Sequence, residues 1–138
     1  MRIYSNIQFH LPIGGLLRKI KAEKNSRNIL LICDDLMGDL LMMSGIVKVL
    51  HERGYIPTLI VRDTWKDLAT FMWADEVLPV NINLYRQSLR YRINFLNEVR
   101  KKSYLWATAS LFLSGVSANI LRYCGASRRY AFCRGGGN

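Results

Sequence analysis

The chain has 138 residues, half of them hydrophobic, enough for one domain with a real core. Twenty Lys and Arg against ten Asp and Glu leave a formal charge of +10, which suggests a polyanionic partner (nucleic acid, a membrane surface or a phosphorylated substrate) and says nothing about fold. Cys33, Cys124 and Cys133 are odd in number and match no zinc or redox spacing; Cys33 and Cys124 sit in apolar contexts and read as reduced core residues in a reducing compartment.

Residues 1–27 read as an appendage. No compact apolar stretch with a cleavage site opens the chain, so no signal peptide is expected. Ile7, Phe9, Leu11, Ile13, Leu16, Leu17 and Ile20 are followed closely by Arg18, Lys19, Lys21, Lys24 and Arg27. Pro12, Gly14 and Gly15 interrupt the first part, so any helix starts near Leu16. One reading is a basic amphipathic anchor on anionic lipid. The preferred one is a disordered or packed arm with a solvated basic face.

The next run, Asn28–Cys33, has no polar face and predicts a strand buried on both sides. It breaks into Asp34, Asp35, Leu36, Met37, Gly38 and Asp39, after which Leu40, Leu41, Met43, Ile46, Val47 and Leu50 recur at helical spacing over 39–53. Gly54 stops that helix. Ile56–Arg62 predicts a second strand, with Pro57 tolerated near its start. Asp63 and Thr64 offer an N-cap to a short helix ending at Met72. Glu76–Val80 predicts a third strand, followed by the polar Asn81 and Asn83. Leu84, Leu89, Ile93, Leu96 and Val99 form one stripe, predicting a single helix over 84–102. A strand over 104–111, a helix over 113–124 and a last strand over 128–133 complete the chain. Residues 103–121 carry no charge and approach the ~20 residues that span a bilayer. Thr108, Ser110, Ser114, Gly115, Ser117 and Asn119 within them, and the division into strand and helix, argue against a membrane span.

The order βαβαβαβαβ implies a parallel sheet with helices on both faces and right-handed crossovers. The chain closes on Gly135, Gly136, Gly137 and Asn138 just after a strand, so further protein is expected to follow. Basic residues crowd into the arm, the helix with Arg86, Arg90, Arg92, Arg100, Lys101 and Lys102, and the end with Arg122, Arg128, Arg129 and Arg134. A solvated face is the plain reading of each cluster.

Asp34, Asp35 and Asp39 form the only carboxylate cluster, at the carboxyl end of the first strand, where open α/β sheets bind ligands. Gly38 permits close backbone approach, and Asp39 stands where free N–H groups and the helix dipole favour its ionised form. A carboxylate there can take a proton from a hydroxyl nucleophile, provided transfer comes late, after the leaving group has begun to depart. Asp is also ordinary at helix starts for capping reasons alone.

The buried strand, short loop, Gly38, Asp39, Leu40, Leu41 and apolar helix resemble the start of the family 9 glycosyltransferases, the lipopolysaccharide heptosyltransferases and their relatives. The segment Leu121, Arg122, Gly125, Ala126, Arg128, Arg129, Tyr130 and Phe132 is similar to the family's helix ending at Gly-Ala with basic residues opening the next strand. Thr58 to Arg62 and Asp75, Glu76 and Val77 fit its second and third strands, so the resemblance spans residues 28–137. It implies a Rossmann-like α/β domain over 28–138, the N-terminal, acceptor-binding half of a GT-B enzyme whose donor-binding half lies outside this chain. It further implies inverting transfer without metal or bound cofactor, with a nucleotide sugar such as ADP-heptose as co-substrate. Asp39 is then the general base, and Asp35 and Gly38 contact the acceptor. Arg128 and Arg129 meet its anionic groups. The partners are a phosphorylated glycolipid and, peripherally, the anionic inner membrane surface from the cytoplasmic side. Cys33 and Asp34 stand where many relatives carry Lys or Arg, and Ser110 where many carry Asp.

Three other readings fit parts of the sequence. A receiver-type phosphoacceptor domain shares the paired acids but needs an Asp after its third strand, where Pro79, Val80 and Asn81 stand. A nucleic-acid module gains from Tyr85, Tyr91, Tyr104, Tyr123 and Tyr130 near basic residues, yet no motif is present and the clusters are scattered, which disfavours nucleic acid. A non-catalytic remnant or polyanion-binding module is the third, with Trp65, Trp73 and Trp106 as candidates for an uncovered surface.

Overall fold

The computed structural model describes residues 12–20, 26–34, 37–109 and 115–130, with nothing said of the side chains of 37–39. Among the described residues five strands are present: β1 Asn28–Cys33, β2 Ile56–Arg62, β3 Glu76–Val80, β4 Trp106–Ala109 and β5 Arg128–Tyr130. The α-helices are α1 Met37–Glu52, α2 Lys66–Ala69, α3 Ile82–Gln87, α4 Leu89–Val99 and α5 Gly115–Tyr123, and 3-10 turns cover Gly14–Leu16 and Asp63–Trp65. The strands form one sheet in the order β3-β2-β1-β4-β5, every pair parallel. This is a Rossmann-like α/β arrangement.

β1 is central because its sequence leaves it no other place. Every residue from Ile29 to Cys33 is buried, and alternate side chains serve opposite faces. Leu30 and Ile32 join Ile60, Ala107 and Ala109 beneath α3, α4 and α5, through Tyr85, Leu96, Val99, Val116 and Ile120. Leu31 and Cys33 join Leu59 and Val61 beneath α1 and α2, through Leu40, Met43, Val47 and Ala69. Two cores thus sandwich one sheet, as the alternation of elements implies. The strand order also removes the receiver-type alternative, whose order would be 2-1-3-4-5.

The described part of the arm is packed. Ile13 and Leu17 are buried in the α4/α5 core. The Arg18 N–H donates to Asn97 Oδ1 at 2.9 Å, and Arg100 Nε donates to the Arg18 carbonyl at 2.7 Å. Gly125 has φ +78°, and a Cβ there would also collide with Ile20. Gly54, at φ +88°, ends α1 as its position suggested.

Two helical expectations need correction. Residues 84–102 do not form one helix: the chain turns extended at Ser88 (φ −115°, ψ 111°) between α3 and α4, and α4 ends at Val99. Ser88 Oγ accepts from the Tyr91 N–H at 3.1 Å, an N-cap that competes with helix continuation. The segment after β2 is a 3-10 turn and a single helical turn ending at Ala69, short of Met72, and no side-chain cap hydrogen bond starts either. The strand expected over 104–111 begins two residues later, at Trp106; its end and the start of the helix expected over 113–124 lie among residues 110–114, outside the described ones. The end of the last expected strand, with Cys133, lies outside them too. Among the described residues no helix is long and apolar enough to cross a membrane.

Cys33 and Cys124 are both buried. Burial pushes the Cys124 thiol above its ordinary 9.0, and burial likewise raises the Tyr85 and Tyr104 phenols above 10.0. A raised native pKa favours the protonated, folded form, so this stability is complete below pH 9 and falls as the unfolded chain begins to lose protons above it. Thermal melts are therefore expected to fall steadily from pH 9 upward, and Cys124→Ala should flatten the first part of that decline. An unchanged slope in the variant would remove Cys124 from the effect.

Candidate functional site

The order of strands reverses beside β1, so the loops leaving the carboxyl ends of β1 and its neighbours frame the place where this sheet type binds ligands. Asp34 closes β1 and is buried. Arg62, the last residue of β2, donates from Nε to the Asp34 carbonyl at 3.2 Å, joining the ends of the two strands. Asp35 lies outside the described residues. Gly38 and Asp39 fall, by backbone, in the first turn of α1, which begins two residues before the expected start; the Asp39 side chain is not described.

One strand further out, a cleft of about 400 Å³ opens over the carboxyl ends of β2 and β3. Its polar lining is Arg62, Asp63 and Thr64 from the β2 side and Asn81, Asn83 and Arg86 from the β3 side. Two guanidinium groups against one carboxylate leave it net positive, and the amide and hydroxyl groups add neutral hydrogen-bonding partners. Such a lining suits an anionic, hydroxyl-rich ligand, because guanidinium forks match phosphate and carboxylate oxygens.

The cleft wall is held from behind. Asn81 Oδ1 accepts from the Leu84 N–H at 3.0 Å and caps α3, while the Asn81 N–H donates to Tyr91 Oη at 2.9 Å. Arg92 is fully buried; its Nε donates to the Tyr85 carbonyl at 3.0 Å and its Nη2 to the Arg86 carbonyl at 3.1 Å. Tyr85 Oη donates to Asn119 Oδ1 at 2.6 Å and ties α3 to α5. Arg92, read from sequence as part of a solvated basic face, is instead an internal brace.

Arg128 and Arg129 do open β5, but the register sets them beside Trp106 and Ala107, at the amino end of the sheet. Trp106 pairs with Ile29, five residues before Asp34, or about 16 Å along β1. Both arginines are exposed, and Arg129 Nη1 donates to the Arg122 carbonyl at 2.7 Å. The structure does not bring them to the carboxyl-end cleft. The residues it does bring there, Arg62 and Arg86, escaped the sequence reading because they lie on separate elements. The available signal was position: Arg62 ends a parallel strand, and Arg86 lies on the element that follows the adjacent one. Among the described residues no group of three His, Cys, Asp or Glu could hold a metal ion. No protein-family profile, curated protein or solved structure matches this chain.

Proposed function

We propose that this chain is the acceptor-binding half of an inverting glycosyltransferase of the heptosyltransferase type. A hydroxyl of a phosphorylated, lipopolysaccharide-core-like acceptor attacks the anomeric carbon of a nucleotide sugar such as ADP-heptose, presented by a donor-binding half. The nucleoside diphosphate leaves from the opposite side, and Asp39 takes the hydroxyl proton. Arg62 and Arg86 bind the acceptor's anionic groups, and Asn81 and Asn83 its hydroxyls. Asp35 and Gly38 border the same ligand by their place in the chain.

The observation that carries this reading is the cleft itself: two guanidinium groups and two amides at the carboxyl ends of β2 and β3, one strand from the helix whose first turn contains Asp39. The sequence resemblance supplies the reaction type. Isothermal titration of the chain with a heptose-free, phosphorylated core oligosaccharide tests it. Arg62→Ala and Arg86→Ala are each expected to weaken binding about 10- to 100-fold, the worth of one charge-assisted hydrogen bond. Equal affinity for a dephosphorylated oligosaccharide, or no loss in either variant, would refute the assignment.

A further inference from the structure

Alternate residues of β4 and β5 serve opposite faces of the sheet. Ala107 and Ala109 belong to the core beneath α3, α4 and α5, whereas Trp106 packs on the α1 side. β5 pairs Arg128 with Trp106 and Tyr130 with Thr108, so Arg128 and Tyr130 share the Trp106 face while Arg129 takes the other. The Tyr130 and Trp106 rings meet edge to face at 6.4 Å, as that placement requires. The Trp106 ring in turn meets that of Tyr55 at 6.1 Å, and the Arg27 guanidinium lies 4.4 Å from the Tyr55 ring centre. Arg27 is fixed there, because its Nε donates to the Gly54 carbonyl at 3.2 Å and its Nη2 to the Arg53 carbonyl at 3.0 Å. A row of three rings thus crosses the amino end of the sheet, with Arg27, Arg53 and Arg128 exposed beside it. α1 and α2 pack on β1 and β2, and β5 is exposed along its whole length, Tyr130 by 53 %.

We propose that this row binds a single-stranded polynucleotide, with bases stacked on Tyr130 and Trp106 and phosphates on Arg27, Arg53 and Arg128. The local charge is one-sided. The ion pairs among the described residues join Lys101 to Glu98 and Lys102 to Glu76, and none involves these three arginines. Glu52, beside Arg53, is the one acidic neighbour in the chain; Asp75 and Glu76 lie at the start of β3, four strands from β5 or about 19 Å. Guanidiniums alone suit any polyanion. Partly exposed rings set between them suit one whose charges alternate with flat aromatic groups, which is a nucleic acid. The strand must be unpaired, since a duplex keeps its base faces stacked inside. Sequence order scatters these residues over four places in the chain, which is why it disfavoured nucleic acid; the sheet brings them together. Arg128 and Arg129 on the edge strand also oppose its pairing with a second copy. This assignment is independent of the sugar-transfer reading and survives its failure.

Fluorescence anisotropy of a labelled oligouridylate about a dozen nucleotides long, titrated with the chain at several salt concentrations, tests it. The logarithm of affinity is expected to fall with the logarithm of salt at a slope of about −2, roughly 0.7 for each of three phosphate contacts. Arg128→Ala should make that slope shallower by about 0.7. Tyr130→Ala should weaken binding about 10- to 100-fold and leave the slope unchanged, because a stacked ring releases no counterions. Tyr130→Phe, which keeps the ring, should bind within about twofold of the parent. Arg129→Ala, on the opposite face, should keep both the slope and, within about twofold, the affinity. All three positions are exposed, so circular dichroism should show every variant folded. No binding at low salt overturns the proposal, as does full affinity in Tyr130→Ala. Equal losses in Arg128→Ala and Arg129→Ala overturn it too, as does inorganic polyphosphate that competes as well, charge for charge, as unlabelled oligouridylate; either result leaves only a general attraction for polyanions.

Discussion

Asp39→Ala, in an assembly that supplies a donor-binding half, is expected to slow sugar transfer about 10²- to 10⁴-fold, the usual worth of a positioned general base. Acceptor affinity should change little, because the proposed acceptor contacts, Arg62 and Arg86 of the cleft, lie on other elements. The argument starts from the backbone: residue 39 falls in the first turn of α1, where unpaired N–H groups and the dipole stabilise an anion. A helix start weakens any carboxylate there as a base, so the proposed reaction is one in which departure of the diphosphate runs ahead of proton transfer. Loss of a charge–dipole interaction at a helix start costs about 0.3–1 kcal/mol, so loss of rate without loss of fold is the expected signature. Single-turnover transfer, with a thermal melt of the variant alongside, separates the two. An unchanged rate removes Asp39 from the mechanism and leaves the cleft as a binding site.

The three leading strands were legible to the residue. Asn28–Cys33, Ile56–Arg62 and Glu76–Val80 are apolar runs bracketed by Asp34, Gly54 and Asn81, which cannot continue a buried strand cheaply. Their neighbours were not legible: alternation of strand and helix implies a parallel sheet but leaves open whether β3 lies beyond β2 or beside β1. The break at Ser88 was hidden by a stripe that runs through it. Leu84 falls on that stripe by period yet ends up 45 % exposed, because the extended backbone at Ser88 breaks the helical register between α3 and α4.

The site shows the same division. Chemistry confined to one loop, such as Gly38 followed by Asp39, can be read from order in the chain. Chemistry shared by two loops cannot, since Arg62 and Arg86 meet only through the pairing of β2 with β3. Arg128 and Arg129 teach the reverse lesson. A residue that opens a strand in a parallel sheet stands at the amino edge, whereas ligands gather at the carboxyl edge. The parallel sheet implied by the alternation therefore already argued against placing those two arginines on the acceptor.

Arg92→Met is expected to destabilise the domain by about 2–3 kcal/mol. α3 is six residues long, and its last carbonyls lack partners within the helix. The Leu84 carbonyl is met by the Ser88 N–H at 2.8 Å; those of Tyr85 and Arg86 are met by the Arg92 guanidinium. Met preserves much of the side-chain volume and removes the guanidinium donors from both carbonyls, at about 1–3 kcal/mol for the buried bond to Tyr85 and less for the part-buried one to Arg86, partly offset because no guanidinium need then be desolvated. Lys should recover less than half, since a single ammonium does not reproduce a planar fork reaching two carbonyls. Tyr85→Phe gives the scale for an ordinary loss, about 1 kcal/mol for the bond to Asn119. In a chain of 138 residues the Met variant should melt about 10 °C lower than the parent. Because α3 also carries Asn83 and Arg86, the variant should bind acceptor more weakly even well below its melting temperature, while Tyr85→Phe largely keeps both properties. Calorimetric melts of the three variants check the order Met, Lys, Phe. A Met variant as stable as the parent would show that the corner between α3 and α4 holds without its internal brace.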